Sequence, residues 1–183
     1  MWSTGRRLRC APLAPITTGV MLKGDMEVMY LSANEIEQLE GVEKQHFLNP
    51  EALRINKSLG DAVGLRNLGV HQVLVPAGHY STEYHVHYYE EECIYILSGT
   101  GVATLGDQQQ RIGPGDFIGC PINGQAHDMF NDGTEPLVCL VIGQRLEQDV
   151  TDYPKLGKRL SRNSGEWTVV EHAAITTVRR KKA

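Results

Sequence analysis

His85-Val86-His87 sets two imidazoles two residues apart. Side chains alternate along a strand, so both leave the same face, about 7 Å apart along the backbone, and can converge on one ion. Alone, the pair says little. Seven histidines in 183 residues produce a chance H-x-H in about one such sequence in four, and a pair of surface or core histidines is the plain alternative. The surroundings are more specific. Glu92 follows His87 with four residues between, on a new apolar run, and Gly99 follows Glu92 with six between, at the turn that ends that run. With one residue of latitude in the spacing, this pattern arises by chance in roughly one of several hundred sequences of such composition. Downstream, Gly115-x5-Pro121 leads into Gly124-x2-His127-x3-Asn131, which supplies a third imidazole on another short run. Three neutral imidazoles and one carboxylate, from strands able to lie side by side, make a nitrogen and oxygen site for a divalent metal.

The elements that must position these groups are short strands. From about residue 68 to 143, β-rich runs alternate with turn signals: Val70 to Val75, Cys93 to Leu97, Val102 to Leu105, Gln108 to Ile112, Phe117 to Cys120, Ala126 to Phe130 and Leu137 to Ile142. Such spacing predicts an antiparallel sandwich or barrel. On the strand after the His pair, Ile94 and Ile96 share the face of Glu92 and should wall the site, while Cys93, Tyr95 and Leu97 point away. Tyr84 and Tyr88, of opposite parity to the two histidines, belong to the outer side or a partner chain. Ahead of the barrel, Ser32 and Glu35 have the spacing of a capping box, and Ile36 and Leu39 the spacing of a short helix. Pro50 to Lys57 reads as irregular, and Leu59 to Gly64 has too much glycine for an interior helix. Beyond Gly143 the strand signal fades. Asp152 to Lys158 reads as loop, and Trp167 to Val170 as one late strand, on an edge or against a partner. The expected organisation is a flexible extension over 1–30, a helix and loop arm over 31–67, the barrel over 68–143, and a C-terminal arm with a basic tail over 144–183.

The two motifs resemble those of the cupin superfamily, G-x5-H-x-H-x3,4-E-x6-G and G-x5-P-x-G-x2-H-x3-N. Here six residues rather than five separate Gly78 from His85, and Ile122-Asn123 replaces a single residue between Pro121 and Gly124. Both departures fall in loops. Gly60-Asp61-Ala62-Val63-Gly64-Leu65 before the barrel and Asp152-Tyr153-Pro154 after it are also similar to flanks found in single-domain bacterial cupins of unsettled function. The resemblance implies an all-β double-stranded β-helix, or jelly roll, with a short N-terminal helical segment. It also implies His85, His87, Glu92 and His127 as ligands of one divalent ion. With no thiolate ligand and two positions open on an octahedral ion, Fe, Mn, Ni, Co and Zn all remain candidates. Asn131 matches a turn residue of the family.

Neighbouring polar residues read mostly as structural: Glu90 and Glu91 as solvated loop acids, His71 and His79 as histidines without a ligand role. The net charge of −4 is uneven. Residues 1–24 carry +4, residues 155–183 carry eight Lys/Arg against Glu166 and Glu171 for +6, and the remaining −14 falls on 25–154. The folded part is therefore the acidic part, which argues against nucleic acid, and the run Arg179-Arg180-Lys181-Lys182 reads as a solvated tail. No apolar stretch approaches the ~20 residues of a membrane helix. Cys10, Cys93, Cys120 and Cys139 are widely spaced and form no C-x-x-C pair, as expected of reduced, mostly buried thiols in a cytoplasmic protein. The basic N-terminus, broken by Pro12 and Pro15, reads as a dispensable extension, with a transit peptide or a later start at Met21, Met26 or Met29 as the alternatives.

For function, the resemblance implies a metal-dependent enzyme acting on a small, oxygen-rich metabolite. Phosphate recognition would need arginines at the mouth, and the barrel region offers Arg66, Arg111 and Arg145. On that count, and because the intact set of three histidines and one glutamate resembles the dioxygenase and oxalate-degrading branches slightly more, a dioxygenase is favoured, with a sugar-phosphate isomerase and a non-catalytic small-ligand binder as alternatives. Leu146, Val150, Tyr153, Leu160 and Trp167 are too much apolar surface for a free tail, which predicts a homodimer.

Overall fold

The alternating runs become antiparallel strands in the computed structural model, which describes residues 29–178. The expectations for residues 1–24 and for the basic run 179–182 lie outside the described residues. In chain order the elements are α1 (Ala33–Gln38), β1 (Val42–His46), β2 (Asn49–Ser58), α2 (Leu59–Ala62), β3 (Leu68–Val75), β4 (Val86–His87) and β5 (Glu92–Ser98). They continue with β6 (Gly101–Leu105), β7 (Gln108–Ile112), β8 (Phe117–Cys120), β9 (His127–Phe130), β10 (Leu137–Gln144), β11 (Gln148–Tyr153), β12 (Lys158–Asn163) and β13 (Glu166–Glu171). Six strands form one sheet in the order β1-β2-β3-β10-β5-β8; the others form sheets β13-β12-β11-β4 and β7-β6-β9. The isolated bridge His85↔His127 ties the two smaller sheets together. The result is the jelly-roll barrel with a short N-terminal helix.

Inward residues of alternate parity build the core. Val73 and Val75 on β3, Ile94 and Ile96 on β5, and Leu137 and Cys139 on β10 meet Ala103, Ile112 and Met129 from the three-stranded sheet. Tyr95 and Leu97 are exposed, as their parity requires. Gly99 shows why the motif ends in glycine. Its φ is +77°, and a Cβ there would lie 2.3 Å from the Pro136 carbonyl oxygen, so a side chain meets both backbone strain and a clash.

The helix α1 forms as its caps dictate: Ser32 Oγ accepts from the Glu35 N–H, and Glu35 reaches back to the Ser32 N–H. Lys57 Nζ then donates to the carbonyls of Ile36 and Glu37, holding the helix end to β2. Three local readings need correction. Pro50 to Lys57 is not irregular but lies within β2, because pairing with β1 and β3 outweighs its weak alternation. Leu59–Ala62 makes one helical turn despite Gly60, where the backbone of Leu68 and Val70 passes too closely for an easy fit of a side chain. The chain beyond Gly143 also does not lapse into loop. Apart from the 3-10 turn Pro154–Leu156, it forms β11 and β12 before β13. On β11 the buried residues include Asp149, Thr151 and Asp152, so hydrophobic alternation is missing where the strand is most buried.

Candidate metal centre

The two motif strands reach the site by different routes and are joined there by backbone. His85 N–H donates to the His127 carbonyl at 3.1 Å and His127 N–H to the His85 carbonyl at 2.8 Å, which sets the two imidazoles side by side, ring centroids 4.5 Å apart. Donor atoms of His85, Glu92 and His127 lie within 4.8 Å of one another. His87 joins them through its Nε2, 3.1 Å from Nε2 of His85. Three of the four residues that the motifs single out thus have donor atoms within 4.8 Å of one another, and His87 adjoins them through His85 alone. His85 and His127 are buried, His87 and Glu92 half-buried.

The hydrogen bonds behind the cluster decide what it can hold. His85 Nδ1 lies 2.9 Å from the Glu83 carbonyl, which only accepts, so the proton sits on Nδ1 and Nε2 keeps its lone pair. His87 Nδ1 lies 2.6 Å from Oδ2 of buried Asp149 and is committed in the same way. Two lone pairs therefore point at one another across 3.1 Å, an arrangement that repels unless a cation stands between them. Bonds of about 2.1 Å to a divalent ion put cis ligand nitrogens about 3.0 Å apart, so the residues present fit such an ion. Burial and the neighbouring imidazoles push His85 down to about 3, which keeps it neutral and free to ligate. Burial works against the charge of Glu92, yet its hydrogen bond with His127 and the nearby imidazoles hold it at about 2. That bond puts a proton on His127 Nε2; against burial, Cys120 and Glu92 push His127 up to about 10, so an ion bound there would displace this proton.

Asp149 went unread in the sequence. It accepts from the Tyr89 N–H and from Thr151 Oγ while gripping His87, and it comes from β11, 62 residues away in sequence. His87, Glu90 and Asp149 form a second close group. It is a supporting layer and not a second ion site, because His87 Nδ1 is taken by Asp149 and Glu90 by Arg162 and the Leu146 N–H. Glu90 is accordingly no solvated loop acid: it is buried and ion-paired. Glu91 is exposed. His71 meets Asn56 and Ser58, His79 meets the Glu51 carbonyl, and Asn131, fully buried, donates to the Val75 and Glu135 carbonyls, all structural roles. Tyr84 and Tyr88 face away from the cluster, onto the Gly106 carbonyl and onto Asp152 with Arg159.

The cluster opens on a cavity of about 550 Å³, walled by Ile94, Val73 and Val141 from the core and by Lys44, His46, Arg54 and Tyr153 from strands outside the motif region. Arg66, Arg111 and Arg145 are not in its wall, and the last two are paired with Asp132 and Asp61. The expected shortage of arginine is therefore wrong. Arg54 and Lys44 face each other across β1 and β2, so their side chains leave the same side of the sheet. Neither has an ion-pair partner among the described residues; Arg54 Nη1 donates only to the Ser81 carbonyl, at 3.1 Å.

A protein from Acidithiobacillus ferrooxidans of solved structure, named a "putative sugar phosphate isomerase", is 56% identical over 83% of this chain and 97% of its own, with a TM-score of 0.82. A family model described as "Cupin domain" matches residues 71–143. The chain belongs to the cupin superfamily. A sugar phosphate isomerase of that superfamily from Silicibacter pomeroyi shares the fold at 23% identity, covering 81% of this cupin and 96% of its own chain, with a TM-score of 0.70. A "predicted oxalate decarboxylase" from Thermotoga maritima does so at 20% identity, 61% and 96% coverage, and a TM-score of 0.52. Comparison with curated proteins gives no match. No helix among the described residues is long and apolar enough to cross a membrane.

Proposed function

We propose that this cupin is a metal-dependent isomerase of a sugar phosphate, with His85, His87, Glu92 and His127 as the ligands of one divalent ion. The observation that carries the substrate class is the cross-strand pair Lys44 and Arg54 in the cavity wall, neither of which has an ion pair among the described residues. Like charges directly opposite each other destabilise a sheet, and a half-buried guanidinium with no ion pair of its own, only the Glu92 charge acting on it without direct contact, is costly. A phosphate monoester seated against them removes both penalties, and a planar guanidinium suits its oxygens. The similarity to the Acidithiobacillus protein supports the same reading.

A bound divalent ion would act as a Lewis acid on adjacent sugar oxygens, lowering the cost of removing the proton at C2. The chain's own residues position the ion and the sugar for proton transfer to a base. Asp149 and the Glu83 carbonyl keep the two imidazole lone pairs aimed inward. Ile94, Val73 and Val141 exclude water, and the cations anchor the far end of the sugar. The dioxygenase reading rests on the intact set of three histidines and one glutamate and on too few arginines at the mouth, and Arg54 removes the second reason.

Incubating the metal-loaded protein with pentose and hexose phosphates in D2O tests the proposal. One of them should exchange its C2 proton and interconvert aldose with ketose. Absence of exchange across the panel, in protein holding a full equivalent of metal, would overturn the isomerase reading and favour a non-catalytic binder.

A further inference from the structure

His46 stands at the end of β1, in the wall of the same cavity, outside both motifs. Three contacts hold its ring. Phe47 stacks on it with centroids 4.8 Å apart, Tyr153 meets it edge-on at 5.5 Å, and the Leu48 N–H donates to its Nδ1 at 3.2 Å. The last contact decides the tautomer. A ring nitrogen that accepts from a backbone N–H carries a lone pair, so the proton of the neutral imidazole sits on Nε2. That Nε2 makes no hydrogen bond to any described residue. The neutral state is itself enforced, because burial and the Arg54 charge push His46 down to about 4. A half-buried donor in a set orientation, lacking a partner beside an unpaired guanidinium, is arranged for a ligand atom.

We propose that His46 is a fixed-tautomer hydrogen-bond donor to the bound sugar phosphate, its Nε2–H meeting a ligand oxygen in the cavity it shares with Arg54 and the imidazole cluster. The proposal takes the class of ligand from the sugar-phosphate reading and nothing else from it. Protonated Nε2 can give a hydrogen bond without adding a charge, so it can recognise a hydroxyl or carbonyl oxygen that Arg54, held by phosphate, does not reach.

The test uses the full-length, Zn(II)-loaded protein with 15N-labelled histidine, and phosphogluconate as a probe that cannot isomerise. His46 should show protonated Nε2 and unprotonated Nδ1 from about pH 5.5 to 8, where an ordinary imidazole titrates. Its Nε2–H signal should move on adding millimolar phosphogluconate. H46F keeps a flat ring but no donor, and should weaken probe affinity about tenfold or more at unchanged melting temperature and zinc content; H46Q, which keeps an N–H, should lose only a few-fold. A proton on Nδ1, titration near the ordinary midpoint, a signal unmoved by the probe, or H46F binding like the parent would each overturn it. If wild-type protein exchanges no C2 proton while His46 responds as described, the isomerase reading fails and the donor role stands.

Discussion

At the residue scale, the site depends on two kinds of group, those that would touch an ion and those that aim them. His87 belongs to the first kind, with its lone pair directed at His85 Nε2. Protein purified after growth with added divalent metal should hold about one equivalent, and His87→Ala should hold less than about a tenth by elemental analysis; equal content in the two would remove the proposed site. Asp149 belongs to the second kind. Asp149→Asn keeps the shape but can present an N–H to His87 Nδ1, turning the imidazole proton toward Nε2. Metal affinity should fall roughly 10- to 100-fold in a competition titration with a chelator, with little change in secondary structure. Arg54→Met should leave metal content intact and raise KM for a turned-over sugar phosphate more than it lowers kcat, because a lost anchor acts mainly on binding.

At the element scale, β11 supports the centre on one side and ties down the C-terminal strands on the other. Asp152 on its outer side takes the Arg159 guanidinium at 2.6 and 2.8 Å and the Tyr88 hydroxyl at 2.8 Å, joining β12 to the residues just after β4. Burial disfavours the Asp152 charge, but Arg159 and Tyr88 hold the carboxyl down at about 2. A depressed carboxyl contributes stability that is present above its ordinary value near 4 and is lost as pH falls through the folded value. Wild-type protein should therefore lose about 1 to 2 kcal/mol from this group between about pH 4 and 2, and Asp152→Asn should flatten that part of the profile in denaturant titrations. An Asn variant with the same acid slope as wild type would assign the loss to other carboxyls.

At the scale of the whole molecule, β13 is an edge strand whose residues are all exposed, and Trp167, Val169 and Val170 lie open on it. An apolar edge with unpaired backbone groups invites another strand, and most soluble oligomers close by two-fold symmetry. We expect a second copy to cover it. Light scattering at micromolar concentration should give twice the 20.3 kDa chain mass, and Val169→Lys should shift the species toward monomer; a wild-type monomer throughout would refute the dimer.

Much of this molecule was written locally. Strand alternation and turn residues specify the barrel from β3 to β10, and the two-residue period of a strand suffices to put His85 and His87 on one face with Glu92 and Ile94 sharing another. The capping box does the same for α1, because its partners are three residues apart. What the sequence could not announce are the groups delivered from far away. Arg54 and His46 sit on strands before the motifs, Asp149 and Tyr153 on a strand after them, and all four reach the cavity or its ligands only because β2 pairs with β3 and β11 with β4. Glu90 looked solvated because its cation, Arg162, is 72 residues away. The reason is physical. A ligand motif is read from spacing within one strand, where covalent geometry dictates direction. A polar wall is made by pairing between distant strands, and burying polar residues there erases the hydrophobic alternation by which such strands are recognised.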